Sequence, residues 1–247
     1  MRNIMADPNG LRLCAKYAYA PNSLHYCGPE KQSDMAAYVA RQIVDAGLAE
    51  ILGKFETLYP YLRLIASSNH IDDPFDTRVV NAYWLGNPLL NNVKTRAFGD
   101  HLAYTLQLKK KLKAADFSSI MDQSIQGVPN HTFHVMNIYI RTGHHAIIHT
   151  LKTMDACRIS WGIIMNNELG NMNGEYMVRT RPLVYNSNKI CLGEPVIKKV
   201  THIGVPLTVG DWVSLHWGVV CDVLTPQEKK QLMQITDSAM NLANTSV

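Results

Sequence analysis

The stretch that most constrains this chain is Val209-Gly-Asp-Trp-Val-Ser-Leu-His-Trp-Gly218, together with the apolar run and helix start that follow it. Gly210 and Asp211 signal a turn, and Trp212, Val213, Leu215 and Trp217 are strand formers. A second apolar strand runs on to Leu224. Thr225 then opens a helix, with Pro226 at its first position and Glu228 at the capping-box position. Turn, strand, turn, strand and capped helix in so short a span leave little choice beyond a small β-structure closed by a helix. The odd residue is His216, an imidazole among aromatic and β-branched neighbours, which the fold must either satisfy or use.

The same β character extends upstream. Residues 159–165, 175–184, 189–202 and 212–224 read as strands, with hairpin turns expected at 171–174 and 185–188. Residues 131–140 also have strand propensity, with Phe133, Val135, Asn137 and Tyr139 alternating onto one side, which would put His131 and His134 on opposite faces. Gly143 is expected to open a helix that delivers Cys157 at its C-terminal end.

The front half reads differently. Residues 11–29 look like a loop with turn punctuation at Pro21, Gly28 and Pro29. A helix over residues 33–44 is expected to stop at Gly47, and a second, from about residue 48, to kink or split at Pro60. Asp76 caps a helix through Val79, Val80, Tyr83 and Trp84, and a longer helix covers residues 94–113. Asp72, Asp73 and Asp76 are explained more simply by capping than by a hard cation. The sum is an α+β protein: a helical bundle domain over residues 1–128, then a β-barrel domain with a C-terminal helix over residues 129–247.

Composition removes several function classes. The net charge is only +4, and the one dense basic run, Lys109 to Lys111 with Lys113, lacks interleaved aromatics, so a nucleic-acid partner is not expected. The five cysteines, Cys14, Cys27, Cys157, Cys191 and Cys221, show no Cys-x-x-Cys spacing. Their odd number and the lack of a signal peptide point to a reducing cytoplasm, and no apolar run approaches the ~20 residues a membrane helix needs. Glycine-rich nucleotide loops and a Gly-x-Ser-x-Gly elbow are missing.

The residues left to carry chemistry are cysteines and histidines. Cys157 and His216 form a soft-plus-borderline ligand pair suited to iron, zinc or copper. His145 and His149 are four apart on one helical face, a chelating spacing, although no glutamate follows His145 as a zinc-protease motif would require. With His131 and His134 they could enlarge a site around Cys157. His25 and Cys27, in the turn before a helix, are a further candidate for an activated thiolate.

The Val209–Gly218 run resembles the C-terminal half of the HypC-type maturation chaperones of nickel–iron hydrogenases. In that family a Val-Gly-Asp-aromatic-Val strand reaches a histidine and a glycine before an acidic helix closes a barrel. The family's second motif is a cysteine with a glycine five residues on, and Cys157 and Gly162 keep that spacing. The resemblance covers roughly residues 157–240 and implies a HypC/OB-like barrel in which Cys157 and His216 hold iron for delivery. A maturation factor or the hydrogenase large subunit would then be the protein partner. The whole chain also resembles a bacterial and archaeal family of unknown function with a helical front half. Two other functions stay open: a metalloenzyme with a His/Cys site between the halves, and a non-catalytic protein-binding module.

Overall fold

The computed structural model describes residues 6–138, 150–165, 175–202, 204 and 207–245. The expected α+β arrangement is what these residues form. The helices of the first half are α1 (Pro8–Ser23), α2 (Gln32–Arg41), α3 (Ala46–Gly53), α4 (Leu58–Ser68), α5 (Thr77–Trp84), α6 (Thr95–Asp100), α7 (Leu108–Lys111) and α8 (Ala114–Gln126). Then come α9 (His131–Asn137), α10 (Leu151–Cys157), strands β1 (Ser160–Ile164), β2 (Glu175–Thr180), β3 (Leu183–Asn186), β4 (Lys189–Leu192), β5 (Val196–His202), β6 (Trp212–His216) and β7 (Val219–Val223), and finally α11 (Pro226–Ala243).

Five strands close a barrel in the order β1-β2-β5-β7-β6, and β3 and β4 form a separate hairpin. Neighbours run antiparallel except β5 and β7, which are parallel. Val213 and Leu215 of β6, read as strand formers in the sequence, join Ile164, Tyr176, Val178, Val200, Leu207 and Val220 in the barrel's own apolar cluster. A bulge between Ser214 and Leu215 re-aims the end of β6. Gly162 of β1 is required by a close approach, since a Cβ there would stand 2.2 Å from Val178 Cγ1.

The largest apolar cluster takes residues from both halves: Leu11, Tyr17, Leu62, Val80 and Phe98 on the helical side, and Ile159, Trp161, Cys221 and Leu224 on the barrel side. α1 lies between them, packing on α2, α3 and α5 and on β6 and β7. α11 carries the expected capping box, with Thr225 Oγ1 accepting from Glu228 N–H, and packs on α8, α9 and β4.

Several expectations are corrected. Residues 11–29 are not a loop, because α1 runs from Pro8 to Ser23 with Asp7 as its cap. The helix over 33–44 ends at Arg41, where Gln42 takes a left-handed conformation, and Gly47 lies inside α3. Pro60 breaks nothing, for it occupies the first turn of α4, where a missing N–H costs no intrahelical bond. The single helix over 94–113 is α6, a π-helical turn over His101–Thr105 and the short α7, and α8 follows unannounced. Residues 131–137 are helix α9, not strand, so His131 and His134 share a face instead of opposing each other. The 185–188 hairpin turn is present, with Ser187 and Asn188 both at positive φ. The turn at 171–174 and residues 143–149 of the helix expected before Cys157 lie outside the described residues; α10 itself starts at Leu151, after its cap Thr150.

Candidate metal centre

Three elements bring His216, Cys157 and His131 together. β6 and β7 are joined by the two-residue turn Trp217-Gly218, with His216 paired to Val219 across it. Both turn residues have positive φ, 52° and 77°, the backbone of a type I′ turn. Glycine accepts this freely, whereas a tryptophan there carries backbone strain on the order of 1–3 kcal/mol. Two contacts hold it: Trp217 N–H donates to Ala156 O at 2.8 Å, and the indole stacks on Tyr26 at 4.1 Å. The first of these ties the end of β6 to the end of α10, which sets His216 beside Cys157.

Cys157 is the last residue of α10. Thr150 and Thr153 form a reciprocal cap at the start of that helix. Beyond its end, the buried Arg158 guanidinium donates to Asp155 Oδ1 at 3.0 Å and to Arg181 O at 2.6 Å. Asp155 also accepts from Leu183 N–H and Lys198 Nζ. Burial pushes its carboxyl up, but the Arg158 guanidinium, the Leu183 N–H and Lys198 together outweigh it and hold the carboxyl below the usual range. α10 is therefore pinned to β3 and β5, and Cys157 sits half-buried at the seam of the two halves.

His131 is the first residue of α9, where the Asn130 side chain caps by accepting from Phe133 N–H. Its Nε2 lies 2.8 Å from Cys157 O, and since a carbonyl only accepts, that nitrogen carries the proton. Its Nδ1 is 3.3 Å from the Tyr83 hydroxyl on α5.

The tautomer of His216 is fixed by an absence in the backbone. Pro21 sits inside α1 and has no N–H, so the carbonyl four residues earlier, Tyr17 O, lacks its ordinary helical donor. His216 Nδ1 fills that position at 2.7 Å. The proton is thereby placed on Nδ1, and Nε2 keeps a bare lone pair that is buried and has no hydrogen-bond partner of acceptable geometry. Burial holds this imidazole down to about 4, with the carbonyls of Tyr17 and Cys157 offsetting part of the effect. It stays neutral at pH 7, the form a metal requires.

The ligand atoms of His131, Cys157 and His216 all lie within 4.8 Å of one another. Cys157 Sγ is 3.9 Å from His131 Nε2, and the two imidazole rings meet edge to face with centroids 5.1 Å apart. A thiolate with two imidazoles suits a borderline-soft transition metal. A buried imidazole oriented through its other nitrogen by a carbonyl is also the usual supporting arrangement of a metal-ligating histidine. The donor set fits a metal ion.

His134 points elsewhere, with its Nδ1 3.2 Å from the Tyr61 hydroxyl. His25 is exposed, at positive φ, and bonds Gln32. Cys27 is half-buried against the main core. His145 and His149 lie outside the described residues. Sequence reasoning missed Tyr83, Tyr17 and Pro21, whose parts are played by a hydroxyl, a carbonyl and a missing proton. Of these only Pro21 left a signal, and it read as a turn.

The chain belongs to a family of unknown function (DUF6390), whose model matches residues 6–247. No curated protein and no solved structure matches it. These findings lend the HypC likeness no support. Among the described residues, no helix is long and apolar enough to cross a membrane.

Proposed function

We propose that this protein binds one transition-metal ion through His131, Cys157 and His216, and that this centre is its functional site. The observation that carries the reading is His216 Nε2: a buried nitrogen with no hydrogen-bond partner of acceptable geometry, its lone pair fixed in place by Tyr17 O, within 4.8 Å of the other two ligand atoms. Leaving such an atom unsatisfied costs on the order of 1–3 kcal/mol, and a metal removes that cost. A metal would supply positive charge and Lewis acidity at this seam. The chain's own groups hold it, orient it and exclude water. On binding, Cys157 would give up its thiol proton and His131 would carry its proton on Nδ1, where the Tyr83 oxygen can accept it, leaving Nε2 free to ligate.

Cys157 ends a helix, where the backbone carries negative partial charge and favours a cation. Nucleophilic cysteines are commonly activated at helix N-termini, so this placement favours metal ligation over a thiol enzyme. Zinc titration against a chromophoric chelator tests the reading. Wild type should take up one equivalent, and Cys157→Ser and His216→Ala should each bind at least tenfold more weakly; equal affinity in all three would refute it.

The HypC likeness suggests a specific use of the same pair, namely iron delivery to a hydrogenase. That use requires iron in the anaerobically purified protein, with infrared bands of cyanide and carbonyl ligands.

A further inference from the structure

Three protein ligands do not complete the tetrahedron that thiolate–imidazole sites prefer. Nor do they balance the charge: a divalent ion with one thiolate leaves a net positive charge in a buried place, which is costly unless paired. Among the described residues, no carboxylate belongs to the cluster. The missing donor should be anionic, soft, and carried by an element already fixed against the site.

The loop after α1 meets these conditions. Pro21 O accepts from both Tyr26 N–H, at 2.8 Å, and Cys27 N–H, at 3.3 Å, and the Asn22 side chain donates to Cys27 O at 3.0 Å. The same helix end thus anchors both Cys27 and, through Tyr17 O, the His216 imidazole. Tyr26 stacks on Trp217, so the residue before Cys27 packs on the residue after His216.

We propose that Cys27 is the fourth ligand, closing the His131, Cys157, His216 centre as a Cys2His2 site for zinc or a similar divalent ion. This rests on the metal reading above. Cys27 stands outside the group of atoms within 4.8 Å of one another, so ligation draws its thiol inward. Both thiols lose their protons on binding, which leaves the centre neutral. A closed site holds its metal firmly and has no open position for substrate, which separates it from a metalloenzyme site.

Cobalt(II) loading of the full chain is the test. Wild type should show sulphur-to-cobalt charge-transfer absorption of two-thiolate intensity, with Cys27→Ser and Cys157→Ser each losing about half. An unchanged band in Cys27→Ser, with a lost band in Cys157→Ser, would overturn the fourth ligand and leave the three-ligand centre standing. No uptake by wild type would overturn both. X-ray absorption on the zinc-loaded wild type needs no variant: the proposal expects two sulphurs at ~2.3 Å and two nitrogens at ~2.0–2.1 Å, and one sulphur with three light atoms would contradict it.

Discussion

At the scale of single residues, Pro21 has the least expected consequence. In a helix interior a proline usually costs about 3 kcal/mol through a lost hydrogen bond and a clash. Here it lies in the last turn of α1, and the carbonyl it leaves open orients His216. Replacing it with alanine returns an N–H that competes for Tyr17 O. Pro21→Ala should therefore weaken zinc binding several-fold in the chelator titration while leaving far-ultraviolet circular dichroism unchanged; full affinity would show that the open carbonyl does not matter. Tyr83→Phe addresses the other imidazole. Without the hydroxyl, His131 Nδ1 loses the partner that settles its proton, and supporting groups of this kind are worth about 10–100-fold in metal affinity. The expected result is a loss in that range with the metal-free melting temperature little altered.

Elements show why some of this fold is legible in the sequence and some is not. The capping box of α11 is local: Thr225, Pro226 and Glu228 say the same thing in the sequence and in the structure. Thr225→Ala should cost about 1 kcal/mol in urea unfolding, and no loss would show that the cap contributes nothing. The barrel strands were legible because their β-branched and aromatic residues lie between local turn signals such as Gly210-Asp211, which the structure keeps in place. α9 hid for the opposite reason. All seven of its residues are buried, so it has no polar face from which a helical period could be read, and its β-branched and aromatic residues imitate a strand. α1 was obscured by Pro21 and by small residues. Gly10, near its start, is demanded by contact, since a Cβ there would fall 1.6 Å from Phe75 O on the backbone before α5. Gly10→Ala should push α1 off that strap and destabilise the protein by ~3 kcal/mol or more in the same measurement. Of the site, Cys157, His216 and His131 were legible as residue types, but their meeting was not. It depends on a turn, a stacked pair and a helix end far apart in the chain.

For the whole molecule, buried neutral histidines set the response to acid. His101, on the π-helical turn, and His216 are each held down to about 4 by burial, against 6.5 for an ordinary imidazole. The unfolded chain therefore binds protons that the folded one refuses. Stability is complete above about pH 6.5 and declines as pH falls toward 4, by up to ~3 kcal/mol for each group. Urea unfolding of the metal-free protein between pH 7 and 4 should show this decline, and it should shrink in His101→Phe. A flat profile would mean these rings are not held neutral. The central claim is the metal centre itself, and native mass spectrometry of the full chain tests it most directly. After anaerobic purification and zinc reconstitution, the account predicts one ion per chain in wild type and clearly lower occupancy in His216→Ala and Cys157→Ser under the same spray conditions. Wild type that carries no metal, or variants as fully loaded as wild type, would contradict the account.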